Sequence, residues 1–174
     1  MKKRFIWSKW SRKTHYWGSF VISIPVLLII ISGILLQLKK QVHWIQPPTQ
    51  KGQIQNNPSI SFDDILNAIK TVDEININSW NDIDRLDFRL EKGIVKVRGK
   101  NRWEVQVDTQ TKKVLQVAYR RSDLIEQLHD GSWFHPKVKL YIFLPSGIIL
   151  FILWLTGIYM LILPYTLKWK KKKR

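Results

Sequence analysis

The chain has 174 residues, with 29 Lys and Arg against 13 Asp and Glu for a formal net charge of +16, nine Trp and no Cys. Lacking cysteine, it can build neither a disulfide framework nor a thiolate nucleophile or metal site. So basic a chain raises nucleic-acid binding, but twelve of the cations lie in two terminal tails and the segment between them is only +4, a distribution that speaks against it.

Residues 1–15 form the first basic tail, with Lys2, Lys3, Arg4, Lys9, Arg12 and Lys13 and no acidic residue. An uncharged run follows from Tyr16 to Leu38, 23 residues, and a second of 28 runs from Leu140 to Leu167. Roughly 20 apolar residues cross about 30 Å of hydrocarbon, so each run suffices for a span. These runs predict transmembrane helices over 16–38 and 138–163. The first exceeds the usual signal-peptide apolar core of about 7 to 15 residues. It continues as Leu38-Lys39-Lys40-Gln41 without a small-residue cleavage site, so it reads as an uncleaved anchor. The second tail, 164–174, carries Lys168, Lys170 to Lys173 and Arg174. Positive charge on the outer flank of both spans puts both termini in the cytoplasm and the middle of the chain outside. The tails then lie against anionic lipid, at roughly 1 kcal/mol per cation near the surface.

Small residues give a first view of how the spans pair. Laid antiparallel, Ser32 and Gly33 come level with Ser146 and Gly147, and Ser19 and Ser23 face Gly157, which allows close backbone approach. Pro25 and Pro145 are expected to bend the helices. Trp7, Trp10, Trp17 and Trp169 fall at the inner boundary, and Trp44 and Trp133 at the outer one, as in an aromatic belt.

Between the spans, 39–58 reads as a linker: Gln41 to Gln53 is polar and contains Pro47-Pro48, so folding is expected to begin after it. Residues 59–121 read as a compact domain. Ser61 is a fitting N-cap, Asp63 and Asp64 suit the first turn, and Phe62, Ile65, Leu66 and Ile69 make an apolar stripe at helical spacing. From Asp84 the period becomes 2. Leu86, Phe88 and Leu90 mark one strand, with a turn at Glu91-Lys92-Gly93. Ile94, Val95 and Val97 mark a second, with a turn at Gly99-Lys100-Asn101. Trp103, Val105 and Val107 mark a third, and after a polar turn over Asp108 to Lys112, Val114, Leu115, Val117 and Tyr119 mark the fourth. The predicted fold class is therefore a membrane α-helical hairpin of two spans plus a small extracytoplasmic α+β domain, one helix on a four-strand antiparallel meander. Residues 122–137 read as a pre-membrane helix.

Four histidines are the candidate chemistry. His15 lies at the inner end of the first span, and His43, His129 and His135 lie near the outer boundary. A neutral imidazole can ligate haem iron or another transition metal, or simply anchor at the interface. A full span, about 35 Å or more, separates His15 from the others, so it cannot share an iron with them and needs a second subunit or another protein. His43 can pair with His129 or His135. The latter two, six apart, lie on different faces of any continuous helix, which Gly131 and Pro136 disfavour. There is no H-E-x-x-H, no Gly-rich phosphate loop and no G-x-S-x-G. Asp63, Asp64, Asp82, Asp84 and Asp87 read as solvated surface. The chain is not expected to be an autonomous enzyme, and electrons would come from elsewhere.

Several stretches carry a family resemblance. Trp103-Glu-Val-Gln-Val-Asp-Thr-Gln-Thr-Lys-Lys-Val-Leu115 resembles the closing hairpin of a PepSY domain, with Lys112 where such turns usually carry Gly. Arg12-Lys-Thr-His15-Tyr-Trp17-Gly18, the later Ser-Gly33, Leu128-His129-Asp130-Gly131 and Leu155-Thr156-Gly157 are similar to elements of PepSY-associated transmembrane proteins. The resemblance covers nearly the whole chain. It implies a bacterial inner or plasma membrane protein, alone, as a homodimer or in a larger membrane assembly. It also implies an accessory role in haem-dependent electron transfer linked to iron or metal acquisition, with haem b as cofactor and His15, His43, His129 and His135 as ligands. The alternative it implies is a cofactor-free binding or regulatory module acting on a peptidase or envelope partner.

Overall fold

The computed structural model describes residues 2–54 and 59–172. The chain divides into two compact units, a helical one formed by Met1–Ile34 with Glu126–Arg174 and an α+β one formed by Leu35–Ile125.

In the helical unit, α1 (Lys2–Gln37) contains an apolar stretch of 29 residues, Lys9–Gln37, and the second stretch, Pro136–Thr166, has 31. Both exceed the ~20 residues a bilayer requires. Only 11 % of each apolar window is buried, so side chains such as Phe20, Ile24, Ile31, Phe151 and Leu161 form an outward apolar surface. A core helix of a water-soluble domain would hide that surface; lipid accepts it. The side chain of Trp7 and those of most of the tail cations lie outside the described residues.

The second span is assembled from pieces. In place of the single helix expected over 122–137, α3 (Arg121–Asp130) ends at Gly131, whose φ is +79°, and α4 (Pro136–Val138) begins afresh with His135 as its N-cap. Gly131 is required twice, because a side chain there would strain the left-handed backbone and strike the Phe143 ring. A π turn over Lys139–Phe143 then leads into α5 (Leu144–Lys172), with the Leu144 N–H donating to the Lys139 carbonyl. Pro145 follows at once. A proline here cannot donate to the preceding turn and crowds its carbonyls, so the irregularity expected of Pro145 takes the form of a widened turn just before it. Pro25, by contrast, sits inside an unbroken α1.

In the α+β unit, α2 (Phe62–Lys70) starts with a capping box: Ser61 Oγ accepts from the Asp64 N–H at 3.1 Å and Asp64 Oδ2 accepts from the Ser61 N–H at 2.9 Å. Strands β1 (Ile83–Arg89), β2 (Ile94–Gly99), β3 (Trp103–Asp108) and β4 (Val114–Tyr119) pair antiparallel in sequence order. Leu90, expected in the first strand, begins a short 3-10 turn that ends at Gly93, φ +64°. The β3–β4 turn is nucleated by Asp108, whose Oδ1 accepts from the Gln110 and Thr111 N–H groups, each at 2.8 Å. Lys112 holds the left-handed position, φ +60°, where a glycine is the usual occupant. One sheet face and α2 enclose a core of Ile65, Ile69, Ile75, Ile77, Val95, Val97, Val105 and Val107.

The opposite sheet face is also covered, and by the stretch expected to be a free linker. Gly52 N–H donates to the Lys92 carbonyl, Gln50 N–H to Gln106 Oε1 and Gln53 N–H to Asp108 Oδ2, all at 2.8 Å, while Gln106 Nε2 donates to the Pro48 carbonyl at 2.9 Å. Ile45 is buried, its carbonyl accepts from the Ser122 N–H, and Arg121 stacks over the Trp44 ring at 4.6 Å. A sheet has two faces and α2 covers one. Polar residues buried on the other need partners, which the unpaired backbone of an extended strap supplies. Residues 55–58, the end of the expected linker, lie outside the described residues.

Candidate functional site

The structure brings α1 and the second span together through glycine notches, in a register different from the expected one. A Cβ on Gly18 would approach Leu153 Cδ2 to 2.9 Å; one on Gly33 would stand 3.4 Å from His129 Cε1, and one on Gly157 3.7 Å from His15 Cε1. Gly147 meets nothing within 4 Å, and Ser19 and Ser23 are exposed. Glycine thus faces an imidazole or a leucine across the seam instead of another small residue. Both histidine rings are half-buried.

Each of these rings meets a hydroxyl of the facing helix. His15 Nδ1 lies 3.3 Å from Thr156 Oγ1, and His129 Nδ1 lies 3.0 Å from Ser32 Oγ. The hydroxyl protons are already committed, since Thr156 Oγ1 donates to the Leu153 carbonyl and Ser32 Oγ to the Leu28 and Ile29 carbonyls. With the hydroxyl protons so placed, both hydroxyls accept, both imidazoles donate through Nδ1–H, and the lone pair of each neutral ring is on Nε2. This tautomer assignment follows from the hydrogen-bond network.

His135 has the opposite assignment. Its Nδ1 accepts from the Lys137 N–H at 3.1 Å as the cap of α4, so its ring proton is on Nε2 and the neutral ring has no lone pair to spare. His43 is exposed and belongs to the α+β unit. As expected from the span length, His15 stands apart from His129; of the four histidines, two meet hydroxyls across the seam, His135 caps a helix and His43 is exposed. Among the described residues no three His, Asp or Glu come together as a metal cluster. Ser32 and His15 are 17 residues apart on α1, about 26 Å along the axis, so the two donors serve separate positions.

Imidazoles that donate Nδ1–H to an oriented acceptor and offer Nε2 have the form metal-bound histidine takes, the second partner fixing ring and tautomer. The donor chemistry of each imidazole is of the kind that could hold a haem iron or another transition metal. Beside His129, the turn is fixed by Asp130, which accepts from Lys139 Nζ at 2.6 Å and from the Ser132 N–H at 2.9 Å. Burial pushes this carboxyl up, but Lys139 and Ser132 prevail and hold it below its usual range. Thr156 and Ser32 were not among the expected site residues; each is the hydroxyl residue of a small-Gly pair, Thr156-Gly157 and Ser32-Gly33, which the sequence shows without showing its histidine partner.

Two helices able to span a bilayer, paired through histidine–hydroxyl contacts and joined to an α+β unit, define a small two-helix membrane protein. The family model for the PepSY-associated TM region matches residues 12–174, and the chain belongs to that family. Neither a curated protein nor a solved structure matches it.

Proposed function

We propose that this protein is an accessory electron-transfer component of a bacterial inner or plasma membrane, linked to iron or metal acquisition, which holds haem b through His15 and His129. Its termini are cytoplasmic and its α+β unit is an extracytoplasmic PepSY-like domain. The observation that carries this reading is the pair of seam imidazoles whose Nδ1–H groups are spent on Thr156 and Ser32. When bound, the haem supplies one-electron chemistry. Thr156 and Ser32 hold each ring in a single tautomer, and Gly157 and Gly33 leave it room. Each end offers one donor from this chain, so a haem held there would draw any further protein ligand from a second copy or a neighbouring membrane chain.

Purified in detergent after expression with ample haem, the protein should show a b-type spectrum that sharpens on dithionite reduction. Spectra free of haem bands would sink the reading. His43→Gln and His135→Gln should leave the spectrum unchanged, the first being on the surface of the other unit and the second a helix cap.

The second reading, a cofactor-free module acting on a peptidase or envelope partner, is supported by exposed apolar side chains on the α+β unit, Phe62 and Trp80 in edge contact at 5.8 Å together with Phe88 and Leu90. Crosslinking in membranes followed by purification should then recover such a partner, and recovery of lipid alone counts against it.

A further inference from the structure

On the strap-covered face of the sheet, cations outnumber the carboxylates that serve them. Glu104, 1 % exposed, accepts from Lys96 Nζ at 3.2 Å and Gln106 Nε2 at 2.9 Å through Oε1, and from Arg120 Nη1 at 2.6 Å through Oε2. Arg120 also donates to Asp123 at 3.1 Å. The nearby Asp87 is engaged by Arg89 at 2.8 Å. Lys96, Arg98 and Arg120 therefore share Glu104 and Asp123, and the surplus charge falls on Arg98. Its Nε stands 3.6 Å from Glu104 Oε2, outside hydrogen-bond reach, and is buried with no partner among the described residues.

The register makes matters worse for that guanidinium. Arg85 on β1 is directly opposite Arg98 on β2, and like charges in facing positions repel. Burial first, then Arg120 and, more weakly, Arg85 oppose the Arg98 charge, against the help of Glu104 and Asp123. A desolvated donor left unmatched is costly. Yet Arg98 is not sealed in: its side chain is 18 % exposed, against 4 % for Lys96 and Arg120, and Arg85 beside it is 61 % exposed. The rim of the cluster thus carries two arginines at facing strand positions, Arg85 bonded to Asp84 at 3.1 Å and Arg98 held by a 3.6 Å ion pair to Glu104 with its Nε–H unmatched.

We propose that Arg98 and Arg85 form a binding site for a small oxyanion, a phosphate or carboxylate group, at the open rim of the Glu104 cluster. The forked donors of arginine match two oxygens of such a group, and the surplus charge supplies the attraction. A lipid phosphate and a free phosphate or carboxylate present the same chemistry to this site.

The test uses the full chain in a non-ionic detergent free of phosphate, with thermal unfolding followed by tryptophan fluorescence. Inorganic phosphate should raise Tm by several degrees in a saturable way, beyond chloride at matched ionic strength. Arg98→Gln should abolish the response and, without phosphate, unfold no earlier than the parent chain, because it removes an unmatched charge. Arg85→Gln should keep the response with an affinity lowered about tenfold. In nanodiscs, loss of the phosphate response with anionic lipid but not with phosphatidylcholine identifies lipid phosphate as the ligand; a response in both identifies a free oxyanion. The proposal is overturned by a phosphate effect no greater than chloride's, by a response that Arg98→Gln retains, or by an Arg98→Gln chain that is destabilised in phosphate-free buffer, which would make Arg98 a structural partner of Glu104.

Discussion

At the scale of single residues, the histidines are visible in the sequence but their partners are not. Small-residue reasoning pairs glycine with glycine, whereas here a glycine notch admits an imidazole, and the hydroxyl beside it captures Nδ1. Thr156→Val and Ser32→Ala should each weaken helix pairing by about 0.6 kcal/mol, the usual worth of an interhelical hydrogen bond in a membrane, as measured by unfolding in mixed micelles of sodium dodecyl sulfate. Carboxylates of the α+β unit set its acid stability. The Ser61 N–H and Lys112 lower Asp64 from 3.8 to about 2, and Ser79 with Asn78 lowers Asp82. At Asp108, burial pushes the carboxyl up, but the Thr111, Gln53 and Gln110 amides together hold it below its ordinary value. Depressed folded-state values mean stability that is complete above about pH 5 and lost as pH falls from about 4 towards 2. Thermal unfolding across that window should show the decline, and Asp64→Asn should flatten part of it.

At the scale of elements, alternation and capping make the four strands and α2 legible, because a half-buried sheet and an amphipathic helix stamp periods of 2 and 3.6 on the sequence. Ile75 and Ile77 reach the core from an irregular stretch and carry no period. The strap reads as a free linker for a related reason. Its bonds run from backbone to Gln106, Asp108 and Lys92, so its own residues need be neither apolar nor periodic. Gly93 joins strap to sheet: a side chain there would strain the positive φ and run into the Gln53 carbonyl. Gly93→Ala should therefore destabilise the α+β unit by about 1–3 kcal/mol, with faster hydrogen exchange at the Gln50 and Gln53 amides than at β3.

For the whole molecule, charge distribution and span length make the membrane class readable in the residues themselves, since a bilayer imposes a length that no soluble fold requires. Which unit each histidine belongs to is not readable there, because it depends on where each packed unit closes. The cysteine-free sequence permits a clean topology test. With Asn67→Cys, which is exposed, an impermeant maleimide should label intact spheroplasts; with Ser8→Cys, labelling should require permeabilisation. Haem content per chain, determined as the pyridine haemochrome, tests the central claim most directly. His15→Ala and His129→Ala should each lose about half of the parent's haem, and the double substitution should lose all of it. Haem content that is unchanged in the double substitution, or absent from the parent chain, contradicts the account.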